Sequence, residues 1–159
     1  MNKELSSIQA NYFPSLNLIF FALLIGQLIY FFVGIFLIQS GNINGFGGMN
    51  TVFMFITPVV VLSSIIASKY IYTKQVTEFD KSLPLVNKMT SYRTATIIKL
   101  ALLEGANIFS ISIMIITASY FYAALFLIIT ALFFLNRPTK EKLIMDYEIS
   151  DDDALKLMQ

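Results

Sequence analysis

Three side chains, Gln27, Glu104 and Asn107, carry hydrogen-bonding groups inside long apolar runs. Glu104 lies in RTATIIKLALLEGANIFSISIMIIT, residues 93–117. That places it about 17 Å of helix beyond Arg93, at a rise of about 1.5 Å per residue. A carboxylate at such depth finds no water, so it must be met by protein or by an exchangeable proton or cation. Two kinds of chemistry are open to it. It can bond a neighbouring helix, or it can take up and release a proton or a sodium ion.

The helical repeat decides which residues share its face. At about 100° per residue, Arg93, Ile97, Leu100, Glu104, Asn107 and Ile111 fall near one stripe. Ala101 and Gly105 flank that stripe, four apart, and small residues let a second helix approach closely. Gln27 stands about 11 residues into an earlier apolar run, a depth comparable with that of Glu104. Glu104, Gln27 and Asn107 are therefore the candidate intramembrane polar or ion site. Lys99 is off the stripe and is expected to reach for the membrane surface instead.

Composition sets the class. The chain has 159 residues, 57% hydrophobic and 13% charged, where soluble domains carry about a quarter charged. Cysteine and histidine are absent, which removes disulfides, thiolate nucleophiles, Cys/His metal sites and histidine acid–base catalysis. Ser63, Ser64, Ser110 and Ser112 have no histidine to activate them, and serines in such helices usually bond backbone carbonyls. No catalytic residue, metal ligand or cofactor is assigned, and the chain is expected not to be an enzyme. Charge clusters between the apolar runs, which speaks for topology and not for nucleic acid.

The expected fold is all-α: a polytopic membrane protein with four transmembrane helices in one small bundle, a single domain over residues 1–159. Residues 1–13 read as a short interfacial helix with Leu5, Ile8 and Tyr12 on one face, or as a frayed terminus. The first span is set at 16–38, opened by Pro14-Ser15. In it Ala22, Gly26, Tyr30 and Gly34 recur every four residues, a row suited to close helix packing. Residues 39–50, QSGNINGFGGMN, hold four glycines and no charge and read as a loop. The second span is set at 51–71, with a bend expected at Thr57-Pro58.

Residues 69–93 read as a long polar connection bearing Lys69, Lys74, Lys81, Lys88 and Arg93. The apolar stretch 97–135 is about 58 Å as one helix, twice the bilayer core, and must turn near 117–120. Spans at 94–117 and 120–135 follow, with a tail over 136–159. The positive-inside rule puts the connection, the tail and both termini in the cytoplasm. In the tail, Ser150-Asp151-Asp152-Asp153 reads as the capped start of a small amphipathic helix. Removal of 150–159 is expected to leave the fold intact.

The run Tyr92-Arg93 through Ala101-Leu102-Leu103-Glu104-Gly105-Ala106 to Phe109 resembles the carboxylate-bearing helix of the ATP synthase subunit c (proteolipid) family. In that family a mid-membrane acid binds the transported proton or sodium ion, and the resemblance, over 51–117, implies that role for Glu104. The whole chain, with Arg93…Glu104-Gly105 and the Asn136-Arg137-Pro138-Thr139-Lys140 segment, resembles small four-helix membrane proteins of Bacteroidota-type bacteria. That likeness implies the fold and no activity. The expected function is a structural or accessory subunit of a bacterial inner-membrane complex, with lipid and other membrane subunits or a second copy as partners. The alternative is a proton- or sodium-linked protein using Glu104.

Overall fold

The structure is a computed structural model that describes residues 2–41, 43, 45 and 47–158, with the side chains of 2–10, 47–49, 156 and 158 excepted. The described residues form six helices and no strand: α1 Asn2–Gln39, α2 Gly47–Glu78, α3 Leu85–Thr117, α4 Phe121–Leu135, α5 Lys140–Asp146 and α6 Asp151–Met158. By length and composition α1, α2 and α3 each suffice to cross a membrane. α4, with 15 residues, rises about 22 Å. It passes the same test only jointly with α5, which turns away from it by 74°. Four crossings were expected, the last a short one at 120–135; three helices are long enough alone, and a fourth crossing depends on that bent pair.

Helix α3 is the hub, packed against α1, α2 and α4. Tyr12, Gln27 and Tyr30 of α1 meet Met89, Asn107 and Ser112 of α3 in rising order, so these two helices run parallel. Helix α4 runs against them. Phe20 stacks on Phe133 with centroids 5.0 Å apart, and Phe31 stacks on Phe126 at 4.2 Å. The outer faces are apolar: Leu18, Phe32, Phe55 and Ile66 are each more than 60% exposed. So many exposed large apolar side chains suit a hydrocarbon surrounding.

Both ends of the bundle are closed by specific backbone chemistry. At the charge-free end, α3 stops at Ala118, which adopts φ 50° and donates its N–H to Ile115 O. The turn expected at 117–120 is there, achieved by an alanine in the left-handed region where glycine is usual. Gly45 lies directly against it, because an added Cβ would stand 2.3 Å from Thr117 O. No side chain fits there. Since a left-handed non-glycine residue costs about 1–2 kcal/mol, Ala118→Gly is expected to stabilise the protein by about 1 kcal/mol. Thermal unfolding in detergent checks this, and a lowered midpoint would refute it.

The basic end departs further from the sequence reading. Helix α1 passes through Pro14 instead of starting there. A proline lacks only one backbone donor, and buried Tyr12, Phe13 and Leu16 on either side hold the segment to the bundle. The expected face of Leu5 and Ile8 lies outside the described side chains. Helix α2 is likewise continuous through Pro58 and runs on to Glu78, so most of the polar connection is helical. Only residues 79–84 turn, fastened by Asp80, which accepts from Ser82 N at 2.9 Å and Ser82 Oγ at 2.7 Å. Those bonds hold the Asp80 carboxyl below its ordinary range.

The tail is built into the core. Thr139 caps α5 by accepting from Lys142 N, and the chain then lays Leu143, Tyr147, Ile149 and Leu157 against Tyr12, Met89 and Tyr92. Asp146 accepts from Tyr72 at 2.5 Å, Lys81 donates to Glu148, and Lys88 donates to Glu148 O at 3.3 Å. The Lys81 contact holds the Glu148 carboxyl below its ordinary range. Deletion of 150–159 removes Leu157, only 4% exposed, so the fold is not indifferent to that segment. Burying one leucine contributes about 1.5–3 kcal/mol.

Candidate functional site

The polar side chains expected at mid-depth divide into a closed pair and an open neighbour. Gln27 of α1 and Asn107 of α3 are 1% and 0% exposed, and Asn107 Nδ2 donates to Gln27 Oε1 at 2.5 Å. Thr130 of α4 joins them, with its Oγ1 3.2 Å from Asn107 Nδ2. One hydrogen-bonded knot thus ties three helices at the same level. It is incomplete, since Gln27 Nε2 and Asn107 Oδ1 are buried with no partner. Exchanging O and N in both amides leaves the same count of one donor and one acceptor unmatched, so the deficit does not depend on that assignment.

Glu104 stands beside this knot without entering it. Its Cα is about 60° around the helix from that of Asn107, which puts it at the margin of the buried face. It is half-buried, and among the described residues no hydrogen bond or ion pair reaches its carboxylate. Together with Gly26, Gln27, Tyr30 and Ile108 it lines a cleft of about 250 Å³ between α1 and α3. The buried amide of Gln27 forms the cleft's inner wall. Tyr30 Oη lies 3.0 Å from Ser112 Oγ, so the phenol is tied to α3 about two turns beyond Glu104.

Of the small residues expected to pack helices, Gly34 alone makes a close approach, with Ile115 and Met114 carbons 3.0 Å from where its Cβ would be. Gly26 and Gly105 face open space, and Ala22 and Ala101 are exposed. The cause is the helical repeat. Four residues overshoot one turn by about 40°, so a row from Ala22 to Gly34 swings by about 120°, from the outer surface to the core. Gly26 therefore lines the Glu104 cleft on the outside of the bundle, where Ala22, Ala101 and Gly105 are also exposed.

Comparison of the chain with known protein families, with characterised proteins and with solved structures finds no match. The site is thus read from its own chemistry. Sequence reasoning found Gln27, Glu104 and Asn107 but missed Thr130, whose signal was available as the lone hydroxyl in the middle of α4. It also linked Gln27 to Glu104 through depth, whereas the amide partner of Gln27 is Asn107. An arrangement with one free carboxylate, one unmatched amide and no buried base can bond a partner helix or hold a small cation.

Proposed function

We propose that this is a small integral protein of a bacterial inner membrane, with both termini cytoplasmic, acting as a non-enzymatic structural or accessory subunit of a membrane complex. One observation carries the subunit reading: among the described residues Glu104 has no hydrogen-bond or ion-pair partner, and it lines an open cleft with Gly26, while Ala22, Ala101 and Gly105 are also exposed. In hydrocarbon an acid so placed is costly unless another protein surface covers it, and small residues on both sides admit a helix. The topology follows from charge. The basic residues of 69–93 and 137–142 gather at one end of the bundle, while the loop and turn at the other end carry none.

A second reading, a proton- or sodium-linked protein, is favoured by the same cleft seen from within. Glu104 and the unmatched Gln27 amide line one cavity, which supplies a titratable group beside a neutral helper. Asn107 then serves by holding Gln27 in place.

The membrane reading is tested by alkaline extraction with reporter fusions. The chain is expected to stay in the membrane pellet, with fusions after Gly47 reporting periplasmic and fusions after Lys81 and Lys142 cytoplasmic. A periplasmic Lys81 would overturn the topology. Mild-detergent purification is expected to retain a stoichiometric membrane partner or a second copy, and a lone monomer at every detergent concentration would overturn the subunit role.

A further inference from the structure

A second cleft, at the basic end and bordered by α2 and α4 where the Glu104 cleft is bordered by α1, has the chemistry of an amphiphile site. It is formed where α2, α3 and α4 converge, with a volume of about 220 Å³, and is lined by Ile65, Ser68, Lys69, Lys99, Leu103, Leu132 and Asn136. Its two halves differ in kind. One is hydrocarbon, made by Ile65, Leu103 and Leu132, and the other presents two ammonium groups. Lys99 is half-buried, its Nζ 4.2 Å from the centre of the Tyr72 ring, which holds it at the cleft mouth. Lys69 is exposed, and among the described residues neither lysine has a carboxylate within ion-pair distance.

The surrounding charges reinforce this asymmetry. Lys142 fixes its Nζ on Leu135 O at 2.9 Å and Arg137 O at 3.2 Å, which adds a third ammonium at the rim beside Asn136. Lys69 and Lys142 both repel the charge on Lys99, and Asp146 is the acid that attracts it. Asp146 is already engaged by Tyr72 Oη at 2.5 Å. Three cations thus face one committed carboxylate, an excess that an anion would relieve.

We infer that this cleft binds the phosphodiester headgroup of an anionic glycerophospholipid, with Lys69 and Lys99 on the phosphate and the first methylenes of an acyl chain along Ile65, Leu103 and Leu132. Charge complementarity selects the anion, and the apolar half selects a lipid over free phosphate. Basic pockets between helices on the cytoplasmic side are a known way of holding such headgroups. The volume is below the roughly 300 Å³ at which drug-sized pockets begin, so it fits a headgroup with the remaining chain outside on the exposed faces of Leu62 and Ile66. The inference rests on the membrane reading above.

The test is native mass spectrometry of the full chain in detergent, titrated separately with phosphatidylglycerol, phosphatidylethanolamine and inorganic phosphate. Phosphatidylglycerol is expected to bind more tightly than phosphatidylethanolamine. Lys69→Gln/Lys99→Gln should weaken it roughly thirtyfold, at about 1 kcal/mol per lysine, while Lys69→Arg/Lys99→Arg keeps it. Should the double glutamine variant fail to fold, Lys69→Gln alone, at an exposed position, should weaken binding roughly fivefold. Equal binding of the two lipids, or unchanged phosphatidylglycerol binding in the glutamine variants, overturns the site. Inorganic phosphate binding as tightly as the lipid overturns the lipid assignment in favour of a soluble anion. A chain that stays in the membrane on alkaline extraction but lacks lipid preference refutes this inference alone, whereas a chain released by extraction refutes the membrane reading and this inference together.

Discussion

Tyr147→Ala is expected to lower stability by about 3–5 kcal/mol, the range for deleting a buried aromatic side chain. Tyr147 follows the short α5 and is fully buried, with its ring 5.1 Å from Phe79 and 6.1 Å from Tyr92. Its hydroxyl lies 3.0 Å from Ser91 Oγ, and burial raises the phenol above its ordinary range, so it is a neutral hydrogen-bonding group. Removing the ring uncouples the tail from the turn after α2 and from α3 together, because Phe79, Tyr92 and Ser91 all meet on it. Tyr147→Phe keeps the ring and gives up one hydrogen bond, a loss of about 1 kcal/mol. Thermal unfolding in detergent measures both. A loss under about 1 kcal/mol for the alanine variant would mean that the tail is not part of the core.

That result bears on what a sequence of this kind reveals. The helical class and the turn at 117–120 were legible because hydrocarbon thickness limits span length, and 39 apolar residues cannot form one crossing. The mid-depth polar residues were legible because hydrocarbon makes each of them costly. The extents of the helices were not, since composition marks where lipid ends and not where hydrogen bonding ends. Helices α2 and α3 extend well past their apolar limits, to Glu78 and from Leu85, as polar turns that carry the tail. The amphipathic start at Ser150 was legible, but the docking of Leu143, Tyr147 and Leu157 on the far side of the chain is a long-range event that local pattern does not specify. The small-residue row misled for a geometric reason: a strict four-residue repeat winds around the helix, so one motif spans both the surface and the core.

Glu104→Gln and Glu104→Leu separate the two functional readings, with opposite expected results. Neither substitution breaks an intrachain bond, because no described residue bonds the carboxylate, and the Gln27–Asn107 pair survives both. The isolated protein should therefore unfold at or slightly above the midpoint of the unsubstituted chain, the gain arising in the leucine variant from removing an acid from an apolar surface. If Glu104 bonds a partner helix, glutamine retains an acceptor of nearly the same shape and keeps the complex. Leucine loses the bond, and interhelical hydrogen bonds in membranes of about 0.6–1.7 kcal/mol correspond to association weakened roughly three- to twentyfold. If Glu104 exchanges a proton or sodium ion, glutamine has no titratable charge, and ion-linked activity disappears while fold and assembly persist. The measurements are thermal unfolding, co-purification of the complex, and an ion-flux or growth assay on both variants. Intact function with glutamine and weakened assembly with leucine establishes the subunit role and eliminates the ion site. Intact assembly with lost function in the glutamine variant eliminates the purely structural role, because shape and hydrogen bonding are conserved there and only the exchangeable charge is gone.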